Sequence, residues 1–160
     1  MKFKTCLSTP IGYLTIEGSH SYVEAVLFTD EKSSVSKKLP PLAKETVSQL
    51  KEYFEGKREE FSIPVLQTGT IFQQQVWNQL ISIPYGSTYS YLKIAQQIGN
   101  IKSTRAIGNA NSKNAISILV PCHRVIGASG KLVGYAGGLW RKDWLLNHEA
   151  RIANGVQTLF

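Results

Sequence analysis

Residues 90–108 read SYLKIAQQIGNIKSTRAIG, a pattern that predicts two short helices joined by a tight turn. Ser90 and Ser103 are suitable N-caps for the two helices, and Gly99 is a suitable C-cap for the first. The apolar residues that the first helix is expected to bury are Leu92, Ala95 and Ile98. The pattern is that of a helix-turn-helix, although many helical hairpins of this kind bind nothing.

The charge distribution indicates what kind of partner such a helical hairpin could bind. The net charge is +7. Residues 1–66 contain nine Lys and Arg and nine Asp and Glu, whereas residues 67–160 contain nine Lys and Arg and only two Asp and Glu. All of the excess positive charge therefore lies in the second half. A basic half of this kind either keeps the protein soluble or binds a polyanion, for which nucleic acid is the usual candidate.

Length and composition limit the class of protein. The chain has 160 residues, of which 42% are hydrophobic, as is typical of a folded globular protein. No apolar run approaches the roughly 20 residues that cross a bilayer. No signal-peptide-like apolar stretch follows the lysines near the N-terminus. We therefore expect a cytoplasmic protein that does not span a membrane.

The periodicity of the remaining residues predicts two domains that meet near residues 67–70, where the charge balance changes. The first domain, residues 1–66, is expected to contain strands at 3–7, 13–17, 23–28 and 60–65 and a helix at 40–54. The second domain, residues 67–160, is expected to add helices at 71–82 and 140–149 to the helical hairpin, and a buried strand or extended segment at 116–120.

The residues that point to chemistry are Pro121, Cys122 and His123, directly after the apolar segment. A cysteine attacks carbon as a thiolate, and a nearby histidine can take its proton. In a regular strand Cys122 and His123 would point to opposite faces, so their pairing requires a turn after Pro121 or a bridging water. The alternative is a buried structural cysteine beside a surface histidine. The two cysteines and three histidines show no paired metal-ligand spacing, so no metal is expected.

Residues 114–126, NAISILVPCHRVI, resemble the active-site signature of the methylated-DNA–protein-cysteine alkyltransferases. Further segments match this family at its spacing: residues 90–91, 105–108, 134–139 and 144–149. The resemblance covers about residues 70–150, whereas residues 1–66 resemble the family only in length and organisation. It implies an α/β protein with a small ribonuclease-H-like N-terminal domain, in a supporting role, and a winged-helix-like, mainly helical C-terminal domain that binds DNA.

The resemblance also implies a reaction. The protein would take an alkyl group from O6 of guanine, and from O4 of thymine if that lesion is accepted, in a single irreversible turnover that needs no cofactor. Cys122 would be the nucleophile and acceptor. The residues implied to assist it are His123 as base acting through a water, Glu149 as its orienter, and Asn114 as the residue that holds the turn. The groups implied to bind the base are the Tyr135 hydroxyl, the Ala136 amide, and the carbonyls of Cys122 and Val125.

For DNA, the resemblance implies a double-stranded partner bound through the minor groove, with the damaged base flipped out. Arg105 would fill the vacated space, and Tyr91 would crowd the 3′ phosphate of the flipped nucleotide. Gly108 and Ala110 would let the helix approach the sugar backbone. Candidate phosphate or surface contacts are Lys102, Ser103, Lys113 and Arg124, the last with a structural role as the alternative. Asn109 and Asn111 are expected to face the groove. A monomer is expected, with cooperative binding along DNA left open.

Three other functions fit part of these features. A lesion-binding protein would flip the base without transfer, although Cys122 argues against it. A winged-helix transcription regulator would explain the basic half but not the set of Cys122, His123 and Glu149. A cysteine hydrolase would turn over many times.

Overall fold

The computed structural model describes residues 1–99 and 104–155, which form two compact units. The first unit comprises residues 1–67 together with 115–119, and the second comprises 68–114 together with the chain from residue 120 onward. None of the helices in the described ranges has the length and apolar character needed to cross a membrane.

The first unit contains an antiparallel three-stranded sheet in the order β1-β2-β3. The strands are β1 (Lys2–Thr9), β2 (Gly12–Ser19) and β3 (Val23–Thr29), so the three strands expected here are confirmed. Phe3, Thr5 and Leu7 are buried at alternate positions of β1, which places its apolar face on the core of this unit.

Helix α1 (Pro41–Phe54) covers this sheet, as the helical periodicity predicted. Its buried side includes Ala43, Leu50 and Tyr53. The strand expected at residues 60–65 is absent from the described structure, where only Val65 forms an isolated bridge, with Val23. Pro64 has no N–H to donate to a ladder, which explains why this prediction was wrong.

The apolar segment before the cysteine is extended only where it meets β3. The Val26 N–H donates to the Ala115 carbonyl at 2.8 Å, and the Ser117 N–H donates to the Val26 carbonyl at 2.9 Å. The chain then turns at Ile118, whose φ is 72°, and the Leu119 N–H donates to the Ser117 carbonyl at 2.8 Å. A positive φ is a strained conformation for a β-branched residue, and it ends the extended segment earlier than expected.

The second unit is mainly helical, with helices α2 (Ile71–Ile81), α3 (Tyr91–Ile98), α4 (Thr104–Ser112) and α5 (Leu139–Asn154). Two short strands, β4 (Tyr89–Ser90) and β5 (Val125–Ile126), pair in parallel. Thr70 and Gln73 form a reciprocal capping box that fixes the start of α2. The expected helices at 71–82 and 140–149 are therefore confirmed.

Helix α3 begins and ends as the sequence predicted. The Ser90 hydroxyl accepts a hydrogen bond from the Lys93 N–H at 3.1 Å, and Gly99 closes the helix at φ 89°. The buried face was predicted less well, because Leu92 is 42% exposed whereas Ile94 and Ala95 are buried. Helix α3 packs against both α2 and α4, and Leu92 is not among the residues that this packing buries. The expected N-cap Ser103 and the candidate phosphate contact Lys102 lie outside the described residues.

Helix α4 is held by a tryptophan of α2. The Trp77 indole N–H donates to the Ala110 carbonyl at 2.9 Å, and Trp77 itself is buried. Gly69 lies directly against the Trp77 ring, where a Cβ atom would come within 2.6 Å of it. The hydrogen bond from Trp77 to Ala110 holds the C-terminal half of α4 against α2.

Candidate active site

Cys122 lies on two consecutive tight turns. Pro121 has φ −81° and ψ 65°, and the Cys122 N–H donates to the Val120 carbonyl at 2.8 Å, which together make an inverse γ-turn. Cys122–Arg124 then forms a single turn of 3-10 helix. The turn that a Cys122–His123 pairing requires is therefore present. The Asn114 amide donates to the Val120 carbonyl at 2.9 Å, the contact expected of a residue that holds this turn.

His123 and Glu149 form a buried pair. His123 Nε2 lies 2.6 Å from Glu149 Oε2, and both side chains are at most 1% exposed. Burial alone would raise the pKa of Glu149, but His123 and Arg124 outweigh it and hold the pKa well below its usual range. An ionised carboxylate only accepts hydrogen bonds, so Nε2 of His123 carries the proton.

This assignment leaves Nδ1 of His123 as the acceptor nitrogen of a neutral imidazole. Burial lowers the pKa of His123 and outweighs the opposing effect of Glu149. Within the described residues, Nδ1 is buried and has no hydrogen-bond partner. His123 is therefore a neutral base with one nitrogen ready to receive a proton.

Arg124 is the second partner of Glu149. Its Nε and one Nη donate to the two carboxylate oxygens at 2.8 and 3.1 Å, and its other Nη donates to the Ile83 carbonyl at 2.8 Å. Arg124 is buried, so its candidate role as a phosphate contact is not supported. A guanidinium that neutralises a buried carboxylate is structural, the alternative that the sequence had left open.

The Cys122 thiol is buried, and burial raises its pKa. A hydrogen bond from Asn114 and the positive charge of Lys142 oppose this shift without cancelling it. The thiol is therefore protonated at rest, and it needs a base to become a thiolate.

Lys142 is a member of this site that the sequence analysis missed. It is fully buried, and its Nζ donates to the Val133 and Gly134 carbonyls at 2.9 and 3.3 Å. Burial lowers the pKa of Lys142 to about 8, against the pull of Cys122. Lys142 and Glu149 are seven residues apart on α5, two helical turns, and this shared face was the available signal.

The loop that carries Tyr135 and Ala136 is anchored by α5. Besides the Lys142 contacts, the Gly138 N–H donates to the Tyr135 carbonyl at 2.9 Å. Gly134 and Gly138 have φ values of 51° and 94°, which favour glycine. Tyr135 is half-buried and Ala136 is exposed, whereas Val125 is buried in β5.

The structure divides the expected DNA contacts into accessible and buried ones. Arg105 is exposed in the first turn of α4, and Gly108 is half-buried. Ala110 is buried against the rest of its unit, so it does not face a groove as expected. Asn111 is buried as well, and its Nδ2 donates to the Cys122 carbonyl at 3.4 Å, which corrects its expected position. Tyr91 is half-buried, and its hydroxyl lies 3.5 Å from the Val133 carbonyl.

No group of three or more His, Cys, Asp or Glu side chains that could hold a metal ion occurs within residues 1–99 and 104–155.

Two family models match the chain. One, described as the ribonuclease-like domain of 6-O-methylguanine DNA methyltransferase, matches residues 2–67. The other, described as the DNA binding domain of the same enzyme, matches residues 71–151. The chain belongs to the 6-O-methylguanine DNA methyltransferase family.

Relatives in this family match over nearly the whole chain. The methylated-DNA–protein-cysteine methyltransferase of Mycobacterium leprae is 47% identical over 158 residues, with 96% of each chain covered. The constitutive enzyme of Bacillus subtilis is 42% identical over 159 residues, covering 93% of this chain and 96% of its own.

Solved structures of family members are also similar over nearly the whole chain. The crystal structure of the Mycobacterium tuberculosis O6-methylguanine methyltransferase has a TM-score of 0.86 and 43% identity, covering 98% of this chain and 97% of that one. The structure of Mycobacterium tuberculosis OGT in complex with DNA has a TM-score of 0.85 and 45% identity, covering 93% of each chain.

Membership of the 6-O-methylguanine DNA methyltransferase family confirms the resemblance and the fold class expected from the sequence. It makes the chain a DNA-binding repair methyltransferase rather than a transcription regulator or a hydrolase. The fold places Cys122, His123, Glu149 and Asn114 together in the second unit.

Proposed function

We propose that this protein repairs O6-alkylguanine in double-stranded DNA by moving the alkyl group to Sγ of its own Cys122. The observation that carries the proposal is the buried Cys122 next to a neutral His123 whose Nε2–H is fixed by Glu149. This arrangement supplies nucleophile, base and orienter, and family membership supplies the substrate class.

The proposed step is a displacement at the alkyl carbon. The Cys122 proton moves to Nδ1 of His123, through a bridging water. Sγ then bonds to the alkyl carbon as the carbon–O6 bond breaks, and the electron pair of that bond goes to O6. His123 then gives this proton to the guanine, so the products are S-alkylcysteine and unmodified guanine.

Groups around the leaving oxygen would stabilise its developing charge. In this proposal the Tyr135 hydroxyl donates toward the base, the Ala136 amide donates to O6, and the Val125 carbonyl accepts from the exocyclic amine. Lys142 adds a positive charge close to Cys122, which favours the thiolate and fixes the loop that carries Tyr135.

The thioether product has no route back to the thiol, so each molecule would act once and without a soluble cofactor. A protein used stoichiometrically gains nothing from rapid product release. What matters instead is a high rate of the single transfer and a strong preference for damaged bases.

The proposed DNA complex uses α4 in the minor groove, with the lesion flipped toward Cys122. Arg105 is exposed where it can fill the space that the base leaves. Among the described residues, a Cβ atom at Gly108 would meet only the Tyr91 ring, at 3.7 Å, so packing against these residues does not require glycine there. Close approach of the DNA backbone is the remaining reason for a glycine. Residues 1–66 are proposed to act as a supporting domain, and 67–160 as the DNA-binding and transfer domain.

The test is the intact mass of the protein after incubation with a duplex that contains O6-methylguanine. We expect a gain of one CH2 per chain in the wild type and in Cys6→Ala, and no gain in Cys122→Ala. Cys6 is the matched control because it is the second free cysteine and is only half-buried.

Each other outcome assigns a different function. Tight lesion binding without a mass gain in the wild type would make the protein a non-catalytic lesion binder. A gain that persists in Cys122→Ala would place the acceptor elsewhere. Removal of more than one methyl group per chain would contradict single turnover.

A further inference from the structure

The Glu149 carboxylate binds more donors than the orientation of His123 requires. Its Oε2 lies 2.6 Å from Nε2 of His123 and accepts from an Nη of Arg124 at 3.1 Å. Its Oε1 accepts from Nε of Arg124 at 2.8 Å and from the Gly86 N–H at 3.4 Å. A carboxylate offers about four lone-pair sites, and these donors occupy them. Glu149 is therefore fixed with Oε2 on the imidazole.

His123 and Arg124 share one buried carboxylate, so the charge of one affects the other. A buried carboxylate beside an imidazole ordinarily favours a protonated imidazole, because the two then form an ion pair. Here Arg124, which is only 6% exposed, already balances the charge of Glu149. Protonation of His123 would therefore give the buried cluster a net positive charge, which is costly away from water.

Arg124 is held in this position by contacts other than Glu149. Its remaining Nη donates to the Ile83 carbonyl at 2.8 Å, and its guanidinium lies 5.6 Å from the centroid of the Tyr85 ring. Ile83, Tyr85 and Gly86 belong to the turn that follows α2, so this turn contacts both Arg124 and Glu149. A guanidinium stays charged at every pH at which the protein is folded.

The other charges around His123 act in the same direction as Arg124. Lys142, which lies on α5 with Glu149, also disfavours a charged imidazole. Helix α2 packs against the same 3-10 turn and carries no acidic or basic residue. The adjacent Cys122 is protonated at rest. Of the charged groups that act on His123 within the described residues, Glu149 is the one that favours its protonation.

We propose that Arg124 is a positioning residue for the reaction, which shares the Glu149 carboxylate with His123 and so keeps the imidazole neutral with its proton on Nε2. Without the guanidinium, Glu149 and His123 would form an ion pair of their own. Nδ1 would then carry a proton and could not accept one. This effect on His123 needs no assumption about the reaction, whereas its consequence for alkyl transfer rests on the proposed function.

The experiment follows the imidazole nitrogens by NMR in protein with isotope-labelled histidines, as the pH is varied. The chain has three histidines, so the His123→Gln variant assigns the signals. The variants compared are Arg124→Gln, which removes the charge, and Arg124→Lys, which keeps it. Arg141→Gln is the matched control, because Arg141 is also a buried arginine of the second unit and donates to a backbone carbonyl, that of Gly137.

We expect the wild-type His123 to be neutral at neutral pH, with the proton on Nε2. Arg124→Gln should raise the midpoint of its titration by about 1–3 pH units, because the carboxylate is no longer balanced. The acid decline of the single-turnover transfer rate should move to higher pH by the same amount. Arg124→Lys and Arg141→Gln should both keep a midpoint close to that of the wild type. Arg124→Met serves as a second neutral variant if glutamine disturbs folding, with the same expected rise.

A folded Arg124→Gln variant with the midpoint of the wild type would overturn the inference and leave Arg124 as a purely structural residue. A midpoint raised equally by Arg124→Lys would also overturn it, because the charge would then not be the cause. A wild-type His123 that is already charged at neutral pH would overturn it without any variant. The expected midpoints in a protein that transfers no alkyl group would support the inference and overturn the proposed function instead.

Discussion

His123 shows how burial and one fixed partner determine what a side chain does. Glu149 is held ionised by His123 and Arg124, and it therefore keeps the proton on Nε2. Burial lowers the pKa of the imidazole, so at neutral pH Nδ1 is unprotonated and can accept a proton. The proposed role of His123 as a base therefore follows from the contacts of Glu149 with His123 and Arg124 and from the burial of the imidazole. It does not follow from the reactivity of histidine in general.

The pH dependence of the transfer rate tests this assignment. Because the pKa of His123 is lowered, its neutral form persists below the ordinary value of about 6.5. Below about pH 7 most of Lys142 is already protonated, since its pKa is about 8. From there the single-turnover rate should stay level as the pH falls to about 6.5, and then decline only at lower pH. The His123→Gln variant should lose most of the transfer rate, and its remaining rate should no longer decline at low pH. A midpoint at or above the ordinary histidine value would show that the imidazole is charged or solvated in the working enzyme.

At this scale the sequence itself pointed to Cys122 and His123, whereas Glu149 was named only through the family resemblance. It missed Lys142, whose only signal was the helix face that it shares with Glu149. It misplaced Asn111, because an asparagine on a helix gives no sign of its burial. Arg124 was ambiguous for the same reason, since a guanidinium binds phosphate or carboxylate equally well.

Among the helices, α4 and α5 carry most of the residues to which the proposed function assigns a role. Helix α5 carries Lys142 and Glu149 on one face, and helix α4 carries Arg105 and Gly108. The position of α4 depends on Trp77, whose indole N–H reaches across from α2 to the Ala110 carbonyl. This buried hydrogen bond helps to hold α4 against α2.

Trp77→Phe should therefore destabilise the protein more than its loss of volume suggests. The change removes one donor from the Ala110 carbonyl, which keeps the Lys113 N–H at 3.1 Å, so the lost hydrogen bond costs about 0.5–1.5 kcal/mol. Urea unfolding measures the free energy of unfolding directly. Trp140→Phe is the control, since Trp140 is 57% exposed and should change stability by at most about 0.5 kcal/mol. Equal effects of the two substitutions would contradict a bracing role for Trp77.

The elements themselves were largely predictable, because strands 2–9, 12–19 and 23–29 and the main helices follow clear periodicity and capping signals. The failures have local causes. Pro64 prevents a ladder at residues 60–65, and the buried face of α3 depends on its neighbours rather than on its own eight residues. Ile118 adopts a left-handed conformation that no propensity for isoleucine would predict.

For the whole molecule, the uneven charge is the property that the sequence gives most directly. Residues 67–160 hold all of the excess positive charge, and they include the part matched by the family's DNA binding domain. Non-specific DNA binding by such a surface releases counterions, so affinity falls as salt concentration rises.

Binding to undamaged duplex, followed by fluorescence anisotropy across a range of KCl concentrations, should give a straight line of log affinity against log salt. Lys113→Ala should lower its slope by about 1, the contribution of one phosphate contact. Lys57→Ala, which removes an exposed lysine from the electrically balanced first half, should leave the slope unchanged. A slope that is insensitive to Lys113 would assign phosphate binding to other cations.

The burial of Cys122 also matters for the time before any lesion is met. A protein that is consumed by one reaction has to remain usable while it waits, since oxidation of the thiol would waste a whole molecule. Peroxides and soft electrophiles attack exposed thiolates first, and Cys122 is 6% exposed with a raised thiol pKa. The burial that makes Cys122 depend on His123 thus also protects its thiol from oxidation until the protein meets a lesion.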